Sequence, residues 1–456
     1  MTLEVRPLTT DYRPLTTDLW PHPPCSLSAF QFSVFDFCFL CFNFCLRSVR
    51  ILFLTQWFDP EPSFKGLQFA LALQARGHSV QVLTGFPNYP GGKVYPGYRI
   101  RLWQREVMHG IPVLRVCLYP SHSRSVIGRI LNYLSFAVSA SVLGALLVES
   151  AEVAYVYHPP ATVGLPALTL KYLRRIPFVY DVQDLWPDTL TATGMVNGSL
   201  VLRLVGQWCR LVYHAADRIA VLSPGFQQRL VERGVPANKV RVIYNWTHAL
   251  PPAASDAALT DLLADKFVVL FAGNLGAAQG LDAVLDAAKL IQERHSEVCF
   301  AFVGSGVEEP RLRQRAVAER LANVVFLGRR PPEAMGGVYA WASALLVQLR
   351  DDPLFAITIP SKTQAYLAIG KPILMGARGD AADLVRVAGA GIVLAPGDAT
   401  ALAQAVEELL VMPDSARERM GVAGRAYYEA HLSLAAGVHA FEAEFMRAAG
   451  IESGSS

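Results

Sequence analysis

From Val49 onward the chain repeats one rhythm: a short β-rich apolar run, a glycine-containing loop, then a segment with helical spacing. VRILFLTQW, SVQVLTGF, AEVAYVYHPP, IPFVYDVQD and RIAVLS are the runs of a first half. FVVLFAGNLG, VCFAFVGSG, VVFLGRR, ALLVQL, PILMGARG and GIVLAPGD are those of a second. Between them LPPAASDAALTDLLAD, rich in proline and alanine, reads as a connector. Strands alternating with helices argue for a parallel, doubly wound sheet. The expected fold is therefore α/β, with two Rossmann-like domains at residues 48–250 and 251–428. Such a pair faces a central cleft and binds ligand where the carboxyl ends of the strands meet. RAYYEAHLSLAAGVHAFEAEFMRAAG reads as one long helix, and residues 429–456 as a helix and tail packing back on the first domain.

The bulk numbers agree with this and exclude other classes. Of 456 residues 52% are hydrophobic and 17% charged, ample for two large cores. A net charge of +3, with no basic run, argues against nucleic acid as a partner. Of the seven cysteines, Cys117, Cys209 and Cys299 lie in apolar segments, as reduced core thiols do. Cys38, Cys41 and Cys45 have metal-like spacing in CFLCFNFC, but no histidine or fourth cysteine completes a set there, so no metal is expected. Residues 1–47 depart from the rest, with a repeated PLTTD and a phenylalanine-rich run broken by Asp36. No basic n-region or cleavage site marks a signal peptide. This stretch reads as a leader outside the fold, with a membrane anchor as the alternative.

Two loops have the chemistry of phosphate seats. In TIPSKTQAYLAIGKPIL, Thr358 leads to Pro360, which suits a first helical turn. Ser361 and Lys362 then sit where free N–H groups and the positive dipole end attract an anion. In FKGLQFA, Gly66 would let backbone approach a phosphate with Lys65 beside it, although an ordinary strand-to-helix turn reads the same way. GNLGAAQG supplies a tight loop through Gly273, Gly276 and Gly280. Arg329 and Arg330, in FLGRRPP, add charge at a strand end.

Taken in order, these segments resemble the GT-B glycosyltransferases of family 4, over about Val49 to Ala449. The signature is LALQARGHSVQVLTGFPNYPGGKVYPGYR, VYDVQDLWPDTL, ADRIAVLSPGF, KVRVIYNW, FAGNLGAAQGLDAVLDAA, GSGVEEPRL, PSKTQAYLAIGKPIL and DLVRVAGAGIVLAPGD. The DLWP and PSKxQxY variants resemble N-acetyl-L-fucosaminyltransferases of O-antigen, colanic acid or capsule synthesis. The resemblance implies a nucleotide-sugar donor, UDP-linked, no cofactor and no metal. It implies a polyprenyl-diphosphate-linked acceptor and a peripheral place on the inner face of the bacterial plasma membrane. Lys65, Gly66, Gly273, Asn274, Gln279, Arg329, Arg330, Thr358, Pro360, Ser361 and Lys362 would then serve the donor.

Two departures stand out. Asn274 and Gln279 are neutral where many members carry basic residues, which leaves Lys362 and the Arg329–Arg330 pair as charge partners. The two glutamates that usually meet donor sugar and ribose fall at Ile357 and Ala365. Gln364 is adjacent, but one residue turns a helical side chain by about 100°. Ser361 shares the face of Ala365, so Ser361, backbone groups or a residue from elsewhere is expected to meet the ribose. On the acceptor side Asp184 or Asp181 could orient the acceptor hydroxyl or take its proton, and His158 stands at a neighbouring strand end. Capping for Asp184 and a satisfied strand-end role for His158 are equally open. Residues 130–148 carry no charge and approach a membrane span in length. Asn132, Ser135, Ser139 and Ser141, and the position inside the first domain, favour a helix partly core and partly interfacial, with Arg124 and Arg129 toward anionic lipid. A sugar-nucleotide epimerase of the same fold and a non-catalytic scaffold are the rival readings.

Overall fold

The computed structural model describes residues 47–121, 126–192, 198–247, 259 and 262–451. A first sheet contains β1 (Arg50–Leu54), β2 (Ser79–Gly85), β3 (Trp103–Met108), β4 (Ile111–Val116), β5 (Val153–His158), β6 (Phe178–Val182), β7 (Arg218–Val221) and β8 (Val240–Val242). Their order is β3-β4-β2-β1-β5-β6-β7-β8, parallel except for the β3–β4 pair. The second contains β9 (Phe267–Ala272), β10 (Val298–Val303), β11 (Val324–Gly328), β12 (Ala344–Gln348), β13 (Ile373–Gly376) and β14 (Gly391–Leu394). It is parallel throughout, in the order β11-β10-β9-β12-β13-β14. Both orders reverse beside the first strand, which opens a crevice at the strands' carboxyl ends. The β3–β4 hairpin was not expected from the sequence. Its turn is His109–Gly110, both at positive φ.

Helices α1 (Leu67–Ala75), α2 (Val126–Leu147), α3 (Gly164–Arg174), α4 (Asp188–Ala192), α5 (Ser199–Ala215) and α6 (Pro224–Glu232) connect the first sheet. Helices α7 (Asp282–Gln292), α8 (Glu309–Ala318), α9 (Met335–Ala340), α10 (Pro353–Ala356), α11 (Ser361–Ile369), α12 (Asp380–Val387) and α13 (Ala399–Val411) connect the second. Side chains of α2, α3, α5 and α6 share a core on one face of the first sheet, including Phe136, Leu170, Val212 and Leu230. The other face is covered by α1 and by a helix from the far end of the chain.

That end corrects the expectation of a single long helix. The chain forms α14 (Asp414–His431), breaks, and restarts as α15 (Leu434–Ala448). Ser433 is the cause: its Oγ accepts from the Ala436 N–H at 3.1 Å and caps the second helix. The turn lets α15 lie on α1, with Phe441 against Phe69 at 5.2 Å between centroids. Glu442 takes Arg76 and His78, and Glu444 takes Arg218.

Among the described residues one helix, Ile127–Leu147, is long and apolar enough to cross a membrane. It lies on the first sheet instead. Phe136, Ala137 and Ala140 are buried, and Asn132 donates to Tyr119 O at 2.8 Å. Its outer stripe, including Ile127, Leu131, Leu134, Val138 and Val142, is exposed. Arg124 and the leader up to Leu46 lie outside the described residues.

Candidate active site

A cavity of about 840 Å³ opens at the carboxyl ends of the second sheet. Four loops supply it. Gly273, Asn274 and Gln279 follow β9, Gly304 and Ser305 follow β10, and Arg329 and Arg330 follow β11. The fourth is the start of α11, with Pro360, Ser361, Lys362 and Ala365. Its first turn carries no acid and no capping side chain. Thr363 N–H already bonds to Pro360 O at 2.8 Å. The N–H groups of Ser361 and Lys362 therefore have no partner in the helix, as at any helix start, and form an anion-attracting end.

Lys362 dominates the electrostatics. Its Nζ lies 3.9 Å from the Phe271 ring centroid and donates to Gln279 Oε1 at 2.6 Å. A β-carbon on Gly273 would lie 3.4 Å from that Nζ, so the glycine leaves the ammonium its space. Burial pulls the Lys362 pKa down to about 7. The neutral Gln279 thus holds the lysine by an acceptor oxygen and contributes no charge. Ser361 and Ala365 face the cavity together, whereas Gln364 is buried and its amide nitrogen is placed to donate back to Pro360 O and Ser361 O.

Besides Asp184, five expected site residues do not line this cavity. Lys65 is buried in an ion pair with Asp181, Nζ to Oδ2 at 2.7 Å, and lies over the Trp246 and Phe441 rings. It serves the packing of α15 on the first sheet, not a diphosphate. Asp181 accepts further from Tyr155 Oη at 2.6 Å and Gln183 Nε2 at 2.8 Å, so its carboxylate is filled and closed to an acceptor. Gly66 stands before α1, but the anion seat there is taken by the chain itself: Asp59 Oδ2 accepts from Leu67 N–H at 2.7 Å. Thr358 Oγ1 donates to Leu354 O at 2.7 Å and closes the turn after α10. His158 is buried against Tyr180 and Trp186, and burial drops its pKa to about 3. It is a neutral packed ring, and both its nitrogens are buried without a hydrogen-bond partner among the described residues, so it is not a satisfied strand-end histidine.

The sequence matches two family descriptions in succession. Residues 67–246 match a glycosyl transferase 4-like domain, and residues 266–411 match glycosyl transferases group 1. This chain is a GT-B glycosyltransferase. It is 28% identical over 316 residues to a protein of Escherichia coli K12 named as a colanic acid biosynthesis glycosyl transferase, WcaI, covering 65% of this chain and 75% of that one. It is 26% identical to WbjE of Pseudomonas aeruginosa, named as a glycosyltransferase, over 55% of this chain and 64% of that one. The sucrose-phosphate synthase of Thermosynechococcus elongatus superposes with a TM-score of 0.62 at 18% identity, covering 86% of this chain and 97% of that one. Anabaena HepE in complex with UDP and glucose superposes at 0.58 and 18%, covering 86% and 98%. At such identity the likeness is one of fold.

In this glycosyltransferase the first domain also reaches the cavity, through Phe64 and Thr247. Neither these nor Tyr339 and Ser305, which line it too, were expected, and only the GSG run around Ser305 carries a sequence signal. The two sheets are joined at Ile357, one of the positions where the resemblance implies a glutamate. Its side chain packs on the core of the first sheet, and its carbonyl accepts from Ser223 Oγ at 2.6 Å. Beside it Asp380 Oδ2 accepts from Gly225 N–H at 2.7 Å. Of the acceptor-side candidates, Asp184 remains. It follows β6 at the carboxyl end, beside Tyr157, and its carboxylate has no hydrogen-bond or ion-pair partner among the described residues. Burial raises its pKa above the ordinary carboxylate value. Among the described residues no group of three His, Cys, Asp or Glu side chains could hold a metal.

Proposed function

We propose that this glycosyltransferase moves an N-acetylated 6-deoxyhexosamine from UDP to a polyprenyl-diphosphate-linked saccharide in bacterial surface polysaccharide synthesis. The observation that carries the donor half is the meeting of Lys362, the open start of α11 and Arg329–Arg330 in one cavity. A diphosphate seated there meets two backbone N–H groups and an ammonium, which strengthen as negative charge grows on the departing UDP. Arg329 and Arg330 meet the base end. Ser361 serves the ribose in place of an acid at Ala365. With no carboxylate at Ile357 or Ala365, the site suits a sugar with fewer hydroxyls to hold. Asp184 orients the acceptor hydroxyl and takes its proton, for which a raised pKa and a free carboxylate are favourable. No step requires a metal.

The acceptor half rests on the outer surface of α2, α3 and α5. Exposed Ile127, Leu134 and Val138 of α2, Tyr172 and Leu173 of α3, and Leu200, Leu204 and Leu211 of α5 lie there with Arg129, Arg203 and Arg210. Apolar side chains interleaved with arginine suit peripheral binding to anionic lipid at the inner face of the plasma membrane. The test is UDP release from a panel of UDP-sugars, with and without a lipid-linked saccharide. Transfer requires release only when both are present. Conversion of the nucleotide sugar without acceptor would mean an epimerase. Failure with every pair would favour a scaffold, the reading to which the missing acids at Ile357 and Ala365 point.

A further inference from the structure

A second cavity, of about 350 Å³, lies between α5 and the segment Trp186–Asp188. Three guanidinium groups line it, those of Arg203, Arg210 and Arg233. Arg233 is committed to Asp188 and to Trp186 O. Arg203 and Arg210 have no hydrogen-bond or ion-pair partner among the described residues. They are seven residues apart, so they stack two turns apart on one helix face. Among the described residues that line it Asp188 is the only acid, so the groove has an excess of positive charge.

The helix itself says what kind of anion fits. At about 100° per residue, Leu200, Leu204 and Leu211 form one exposed ridge, and Arg203 and Arg210 stand about 60–120° to one side of its members. The buried Cys209 and Tyr213 face the sheet beyond the groove. A ligand held here thus meets arginine forks at its head while an apolar ridge lies alongside. A soluble anion has no use for the ridge, and an apolar ligand has no use for the forks. The groove also adjoins the acceptor region: the Trp186 ring that lines it packs on His158 at 5.6 Å, two residues after Asp184.

We propose that this groove seats the diphosphate of the lipid-linked acceptor, with the α5 ridge against the bilayer. The saccharide then extends past Trp186 toward Asp184. The proposal rests on the lipid-linked acceptor reading, and its test separates the two. Arg203→Gln/Arg210→Gln and Arg203→Lys/Arg210→Lys are compared with the parent in vesicle co-sedimentation, without donor. The vesicles are phosphatidylcholine carrying either polyprenyl diphosphate or phosphatidylglycerol at equal surface charge. Arginine forks bind diphosphate oxygens in pairs, which lysine cannot do. The parent should prefer polyprenyl diphosphate by about tenfold, and both double variants should lose that preference while binding UDP as before. A preference that survives in the glutamine variant would overturn the groove and leave a lipid-linked acceptor standing. A parent that binds both lipids equally would also overturn it, and UDP release with the lipid-linked acceptor then decides the wider reading.

Discussion

Lys362→Met removes the ammonium but keeps an apolar stem over Phe271, so its effect reads charge more than packing. A charge-assisted contact contributes about 1.5–3 kcal/mol, so UDP should bind roughly 10–150-fold more weakly. The pH dependence is more distinctive. Burial brings Lys362 down to about 7 in the ligand-free protein. At pH 6 it is therefore mostly charged, and at pH 8 only about one molecule in ten carries the proton. A bound diphosphate favours the charged form and raises the pKa again. Binding at pH 8 must then take up close to one proton, and affinity should fall by about tenfold for each pH unit above 7 until the bound-state pKa is reached. The folded-state pKa lies below the unfolded one, so the burial penalty is full below about 7 and fades as pH rises toward the ordinary lysine value. The ligand-free protein should thus gain stability across that window. Titration calorimetry in buffers of different ionisation enthalpy counts the proton. UDP's own terminal phosphate titrates near pH 6, equally for parent and variant. Equal UDP affinity and equal proton uptake for the two proteins would refute the reasoning.

Asp184→Asn should lower kcat by about 10²–10⁴-fold with UDP affinity unchanged, by steady-state kinetics and calorimetry; a fall in UDP affinity alone would place Asp184 outside the acceptor chemistry. Lys65→Met should cost about 3–5 kcal/mol in chemical denaturation, because it leaves the buried Asp181 carboxylate without its counter-ion. Preserved stability with lost UDP binding would return Lys65 to the donor site. High salt or alkaline carbonate should release the protein from membranes, and Val138→Ser/Leu204→Ser should weaken vesicle binding without changing Tm. Resistance to both treatments would indicate an integral span.

The second domain's candidate phosphate seat was legible because its parts are local. A proline, a serine and a lysine at a helix start specify both the turn and its chemistry within five residues, and the loop after β11 presents its arginines at the strand end. The doubly wound fold was legible for a related reason: strands such as VVLF and VAYVY are apolar on both faces, as burial between two helix layers requires. The β3–β4 hairpin escaped because β3 is an edge strand of alternating exposure, WQREVM, with little apolar signal. The break at Ser433 was visible only as a cap within an otherwise continuous helical pattern. Lys65 and Asp181 could not have been placed from spacing. They are 116 residues apart, and the rings over the lysine come from Trp246 and Phe441. The same holds for Gly66, whose phosphate-like seat is filled by Asp59 from the preceding loop. Lysine or glycine at a strand-to-helix turn has the same appearance whether the anion it meets is a ligand or the chain's own carboxylate.

A structure with UDP bound tests the donor site most directly. The diphosphate should lie within hydrogen-bond distance of the Ser361 and Lys362 N–H groups and of Lys362 Nζ, with the uracil toward Arg329 and Arg330. Phosphate density at the start of α1, beside Lys65 and Gly66, with the α11 end empty, would contradict the account.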